Sequence, residues 1–221
     1  MLMAIEQARQ RRRNPRGQGD RLREDMIEAA SRLLADPAAP PLTLRGVARV
    51  AGVAATSVYL HFDDTDALVL AVAERHFGEL VEAQRTARDA AATPRDAVRA
   101  MALAYCEFGL ANPGLYQVML GAPLPAVDPA GIPGRTAFEQ RTAAVAAFLG
   151  GDAPSAAFAA SVLIWQLLHG TVSLRISRSV FPWPPLAETV TRGVDLILDG
   201  AAPTAGGPGR SPGPPPPLQA G

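Results

Sequence analysis

The sequence predicts an all-α fold in two parts, a three-helix head followed by a body of about six helices. Apolar residues recur at helical spacing in one segment after another. Capping Thr and Asp residues open those segments, and Pro and Gly clusters close them. No strand-like run and no internal repeat interrupts the pattern. On this basis the 221 residues divide into an arm (1–18), a head (19–64), a body (65–200) and a Gly/Pro tail (201–221).

The arm has no apolar face. Arg9, Arg11, Arg12, Arg13 and Arg16 crowd around Pro15 and Gly17, so a mobile segment is expected. The first helix is expected over 21–35, with Asp20 as its N-cap and Met26, Ala30, Leu33 and Leu34 on one face. Pro37, Pro40 and Pro41 end it. Thr43 caps a second helix to about position 50, whose Leu44, Val47 and Ala48 face inward. Gly52 marks a turn, and a third helix is expected over 55–61.

Asp63 and Asp64 cap a fourth helix over 65–90, and Asp66 in its first turn complements the helix dipole. Thr93 and Pro94 are a cap and first-turn pair that starts a fifth helix. Val98, Met101, Ala102, Tyr105 and Phe108 line one of its faces. Asn112-Pro113 stops it and opens a short sixth helix to about 120. Four prolines make 121–134 a loop, and a seventh helix over 135–149 ends at Gly150-Gly151. The eighth helix, 154–178, carries Phe158, Val162, Trp165, His169, Val172 and Ile176 as one stripe and further apolar residues on other faces. A helix apolar nearly all round is expected to be buried on several sides. A rigid Phe181–Pro185 loop leads to a ninth helix over 186–198, and the composition after 201 predicts a disordered tail.

The formal net charge is zero, yet residues 1–62 carry ten Arg against six acidic residues and the remainder eleven Arg against fifteen. A basic head on an acidic body suits a polyanionic partner for the head. All basic residues are Arg, whose planar fork matches phosphate. Cys106 is the sole cysteine, so no internal disulfide forms, and it is expected to be buried. The Arg-rich start lacks a signal-peptide pattern, and 153–174 reads as a core helix because polar residues and Gly170 interrupt it. A cytoplasmic protein without membrane attachment is expected. His61, His76 and His169 lie on separate segments without paired-ligand spacing, so no metal is expected. No nucleophile elbow, phosphate-cradling Gly loop, HExxH or CxxC occurs. No enzyme activity, catalytic residue or cofactor is therefore expected.

The informative stretch is TLRGVARVAGVAATSVYLHF, 43–62, two short helices around a Gly turn, which is a helix-turn-helix pattern. Ala48 and Ala51 are small enough for the helices to approach, and Val53 and Val58 fill the small core. The segment resembles the TetR family of repressors in Thr43, Val47-Ala48, Ala51-Gly52-Val53, Tyr59, His61-Phe62 and Leu68. Further on, Trp165, His169 and Gly170 resemble the W-x-x-x-H-G signature of one C-terminal class of that family, as do 105–116 and 181–185.

The resemblance implies a DNA-binding head and a body that binds a small-molecule effector and forms a homodimer through its last two helices. Gly170 and Gly193 would allow close approach there. A two-fold dimer would meet a near-palindromic double-stranded DNA operator with recognition helices about 34–36 Å apart, or a multiple of that. The DNA-binding residues so implied are Thr43, Arg45, Ala54, Ala55, Thr56, Ser57, Tyr59, His61 and Thr65. Ala54 stands where the family often has a capping Ser, and Thr65, between Asp64 and Asp66, where it often has Lys. The third helix has no Arg, Lys, Asn or Gln, the usual side chains for bidentate base contacts. Arg45 and the arm are therefore expected to supply much of the affinity. The alternative is a helical dimer with a degenerate head that acts as a ligand-binding or interaction protein.

In the body, Tyr105, Phe108, Tyr116, Met119, Phe138, Trp165 and His169 are candidate pocket residues. Each could equally serve core packing, and His169 could be a hydrogen-bonded core histidine or a polar anchor for a ligand.

Overall fold

The computed structural model describes residues 18–36, 38–121 and 132–202, and it contains nine α-helices and no strand among them. They are α1 (Gln18–Ala35), α2 (Leu44–Ala51), α3 (Ala55–Val58), α4 (Thr65–Asp89), α5 (Pro94–Ala111), α6 (Pro113–Tyr116), α7 (Arg135–Phe148), α8 (Pro154–Ser177) and α9 (Leu186–Ala201). A π-helical turn, Gln117–Gly121, follows α6 directly. The arm and tail expectations fall on residues outside those described.

Local chemistry explains the helix starts. Thr43, Asp64 and Thr93 each accept a hydrogen bond from a first-turn amide, those of Gly46, Ala67 and Asp96. Asp20 is not a cap: α1 begins two residues earlier and places Asp20 in its first turn, where its charge still suits the dipole. The third helix is shorter than its pattern suggests. It ends at Val58, and the amides of His61 and Phe62 both bond the Val58 carbonyl at 3.0 Å. That tight turn swings Phe62 into the core, where it is 3% exposed.

Two apolar cores form. The head core joins Met26, Ile27 and Ala30 of α1 to Leu44, Val47 and Ala48 of α2, Val58 of α3, Phe62, and Leu68 and Val72 of α4. The body core packs α5, α8 and α9 with parts of α4 and α7 around Met101, Tyr105, Ile164, Leu168, Val194 and Leu198. Helix α4 thus runs through both. An ion pair and a hydrogen bond reinforce its junction with α1: Arg75 reaches Glu28 at 2.9 Å, and buried His76, which also bonds Glu79 at 2.7 Å, bonds Ser31 at 2.9 Å. On the far side, Arg99 holds Asp195 of α9 with two bonds at 2.8 Å.

Helix α8 departs from expectation. Its buried face is Ala157, Ala160, Ser161, Ile164, Leu168 and Val172, and only 33% of its most apolar window is buried. Small residues on that face let α8 lie close to its neighbours, which turns Phe158 and Trp165 outward, 54% and 41% exposed. By length and composition this one helix could cross a membrane. Gly193 also differs from expectation. A Cβ there would come within 2.6 Å of Leu167 Cδ2, so it admits α8 of its own chain. Gly170 has open space beside it.

Candidate DNA-binding surface and effector cavity

In the head, Thr43 adopts extended backbone and its Oγ1 accepts from Gly46 N at 3.0 Å, fixing the start of α2. Gly52 closes α2 in the left-handed region, φ 69°, which an L side chain disfavours. The following Ala54 begins α3 without a side-chain acceptor for its amides. Arg45, Ala54, Thr56, Tyr59 and Leu60 are exposed, and Ala55, Ser57, His61 and Thr65 are half-buried. Of the candidate DNA-contacting residues only Ala55 packs against the head core. Leu60, 83% exposed, joins this surface as an apolar residue suited to a thymine methyl or sugar.

Charge is distributed unexpectedly within the head. Residues 18–62 carry five Arg and five acidic residues, so the positive excess over 1–62 lies wholly in the arm, within 1–17. Arg23 is drawn over the Phe62 ring at 5.2 Å, while Arg45 and Arg49 on α2 remain exposed.

In the body, α4, α5, α7 and α8 enclose a cavity of about 170 Å³ lined by Phe77, Leu80, Tyr105, Phe138, Arg141 and Trp165 among others. It adjoins a wider apolar groove of about 960 Å³ between α7 and α8, which shares Phe138 and Trp165 and adds Phe158 and Val162. Three candidate pocket residues, Tyr105, Phe138 and Trp165, therefore meet at the cavity. The Phe138 ring packs edge to face with two of its neighbours, centred 6.3 Å from Trp165 and 5.6 Å from Phe158.

Tyr116 and His169 lie behind this wall. Tyr105 Oη is 3.0 Å from Tyr116 Oη, which is 2.8 Å from His169 Nδ1. Burial raises the pKa of both tyrosines, so each hydroxyl keeps its proton. Met119 belongs to the core and Phe108 packs against it.

Arg141 was not among the residues singled out in the sequence. It is 3% exposed, and burial lowers its pKa to about 10. A signal was present: Ala137, Arg141, Ala144 and Val145 form the buried stripe of α7, so Arg141 interrupts an apolar periodicity. A second feature was equally illegible. Leu115 of α6 belongs to the head core, and Gly114 lies so close to α1 that a Cβ would meet the Ala35 backbone at 2.7 Å.

Comparison with known proteins agrees with this layout. Residues 26–72 match the family model described as bacterial regulatory proteins, tetR family, and residues 98–197 match a tetracyclin repressor-like C-terminal domain. A Rhodococcus sp. RHA1 protein of unknown function has a TM-score of 0.68 and 28% identity, over 86% of this chain and 100% of its own. The Streptomyces coelicolor regulator SCO7222, a TetR, shares the fold at a TM-score of 0.64 and 23% identity, over 81% and 96%. So does Bacillus subtilis FadR, solved with stearoyl-CoA, at a TM-score of 0.63 and 15% identity, over 80% and 98%.

Proposed function

Because this chain belongs to the tetR family of bacterial regulatory proteins, and is thus a DNA-binding transcriptional regulator with a ligand-binding domain, we propose that it is a repressor released from its operator by a small molecule. The observation that carries release is α6. Its Leu115 is in the head core and its Tyr116 in the body core, consecutive residues about 100° apart around the helix. A ligand that displaces Tyr105 moves Tyr116 through their hydrogen bond, and α6 passes that shift to α1 across the Gly114–Ala35 contact. The ligand must bind the DNA-incompetent arrangement better, or the equilibrium does not move.

The working unit in this reading is a homodimer in the cytoplasm that acts by binding and performs no chemistry. The outward face of α8 supports the dimer: Leu163, Gly170 and Leu174 recur at helical spacing, Leu163 and Leu174 are about half exposed, and Leu196 of α9 is 68% exposed. A second copy laid over α8 and α9 would cover them and pair the two heads for a near-palindromic operator. Thr43, Arg45 and Ala54–His61 would meet that operator.

A reporter fused to the promoter of the chain's own gene tests repression. Deleting the gene should raise reporter output, and restoring it should lower output again. Unchanged output in both strains would rule out repression at that promoter.

A further inference from the structure

We propose that the body cavity is a carboxylate site, built to take a small monocarboxylate with an apolar body whose head group pairs with Arg141. This rests on the reading of the body as an effector-binding domain and names the chemical class of the effector.

An unpaired guanidinium inside a protein is costly, because burial removes its hydration and nothing replaces it. Arg141 is in that condition. It is 3% exposed, and among the described residues its Nε–H has no hydrogen-bond partner and no carboxylate pairs with it. Nor is it turned away from the cavity, since it forms part of the lining. The Phe138 ring lies 5.1 Å from its Cζ and supports the guanidinium plane through cation–π attraction. Among the described residues no anion answers it, and a carboxylate fits best because its two oxygens match two parallel N–H donors.

The rest of the lining specifies the body of that anion. Besides Arg135, which Glu139 pairs at 2.7 Å, the lining is mostly apolar, with Phe77, Leu80, Tyr105, Leu120, Phe138 and Trp165. At about 170 Å³ it is slightly larger than a dry engineered cavity of about 150 Å³ that accepts benzene. One aromatic ring, or a chain of roughly six to eight carbons, fills such a space. The wider groove past Phe138 and Trp165 gives a longer tail somewhere to go. Tyr105 is both a wall of the cavity and the first hydroxyl of the chain to Tyr116, so an occupant presses on the group that leads to α6.

Calorimetric titration of the full chain with octanoate and phenylacetate, each against its uncharged alcohol, tests the proposal. At least one acid should bind about tenfold or more tighter than octan-1-ol or 2-phenylethanol. Arg141→Met should erase that preference while raising Tm without ligand, because it removes a lone buried charge. Arg141→Lys, with a charge but no fork, should keep part of it. Equal binding of acid and alcohol, or no binding of either acid, overturns the proposal, and the wild-type comparison decides this even if both variants fail to fold. Acid binding unchanged in Arg141→Met overturns it as well. Arg141-dependent binding that leaves operator affinity unaltered upholds the carboxylate site and removes the release reading instead.

Discussion

Leu115 and Tyr116 are consecutive residues that belong to different cores. Leu115, 7% exposed, packs in the head with Phe62 and Leu68, and Tyr116, 1% exposed, packs in the body and bonds Tyr105 and His169. A four-residue helix has no stability of its own, so α6 is held in place by both cores and feels a change in either.

Truncating that link gives the first prediction. Leu115→Ala opens a cavity in the head core and should destabilise the head by about 2–5 kcal/mol. Operator binding should weaken, whereas ligand titration of the body should change little. Chemical unfolding followed at both domains, together with the titration, reads the difference. Equal loss of ligand binding would show that Leu115 belongs to the body.

Ala54 offers the second. It starts α3 without a side-chain acceptor, whereas Thr43, Asp64 and Thr93 cap their helices. Ala54→Ser supplies an acceptor and should add about 0.5–2 kcal/mol of stability. Thermal unfolding should show a higher Tm, and an unchanged or lower Tm would mean that the α3 amides already have partners.

The arm carries the third. Since the positive excess over 1–62 lies within residues 1–17, removing them should weaken DNA binding mainly at low salt. The dependence of log affinity on log salt should flatten by up to about 4–5 if all five arm arginines meet phosphates. An unchanged slope would mean that the arm stays in solvent.

Cys106 carries the fourth. It is fully buried, and burial pushes its pKa up to about 12, so almost no thiolate exists at neutral pH. A thiol reagent should label it only after unfolding. Rapid labelling of the native protein would mean that the body core opens readily.

Local chemistry was legible in the sequence and packing was not. The caps at Thr43, Asp64 and Thr93, the turn at Gly52 and the all-α class follow from residue type and spacing, because each is a short-range interaction. The face that α8 buries could not be read. With apolar residues all round, periodicity has no preferred side, and Ala157, Ala160 and Ser161 won over the aromatic stripe because they permit closer approach. The candidate site was partly legible. The aromatic candidates Tyr105, Phe138 and Trp165 meet at the cavity. Arg141 escaped notice because a charged residue on a helix is ordinarily solvated, and only the burial of its neighbours Ala137 and Val145 shows that this one is not.

Binding of the purified chain to DNA from upstream of its own gene, against a scrambled duplex across a salt series, tests the central claim most directly. The account expects tight binding that remains sequence-dependent as salt rises, with a stoichiometry of two chains or a multiple per site. Binding that is equally strong on scrambled DNA at every salt, or absent from this and other genomic fragments, would contradict it.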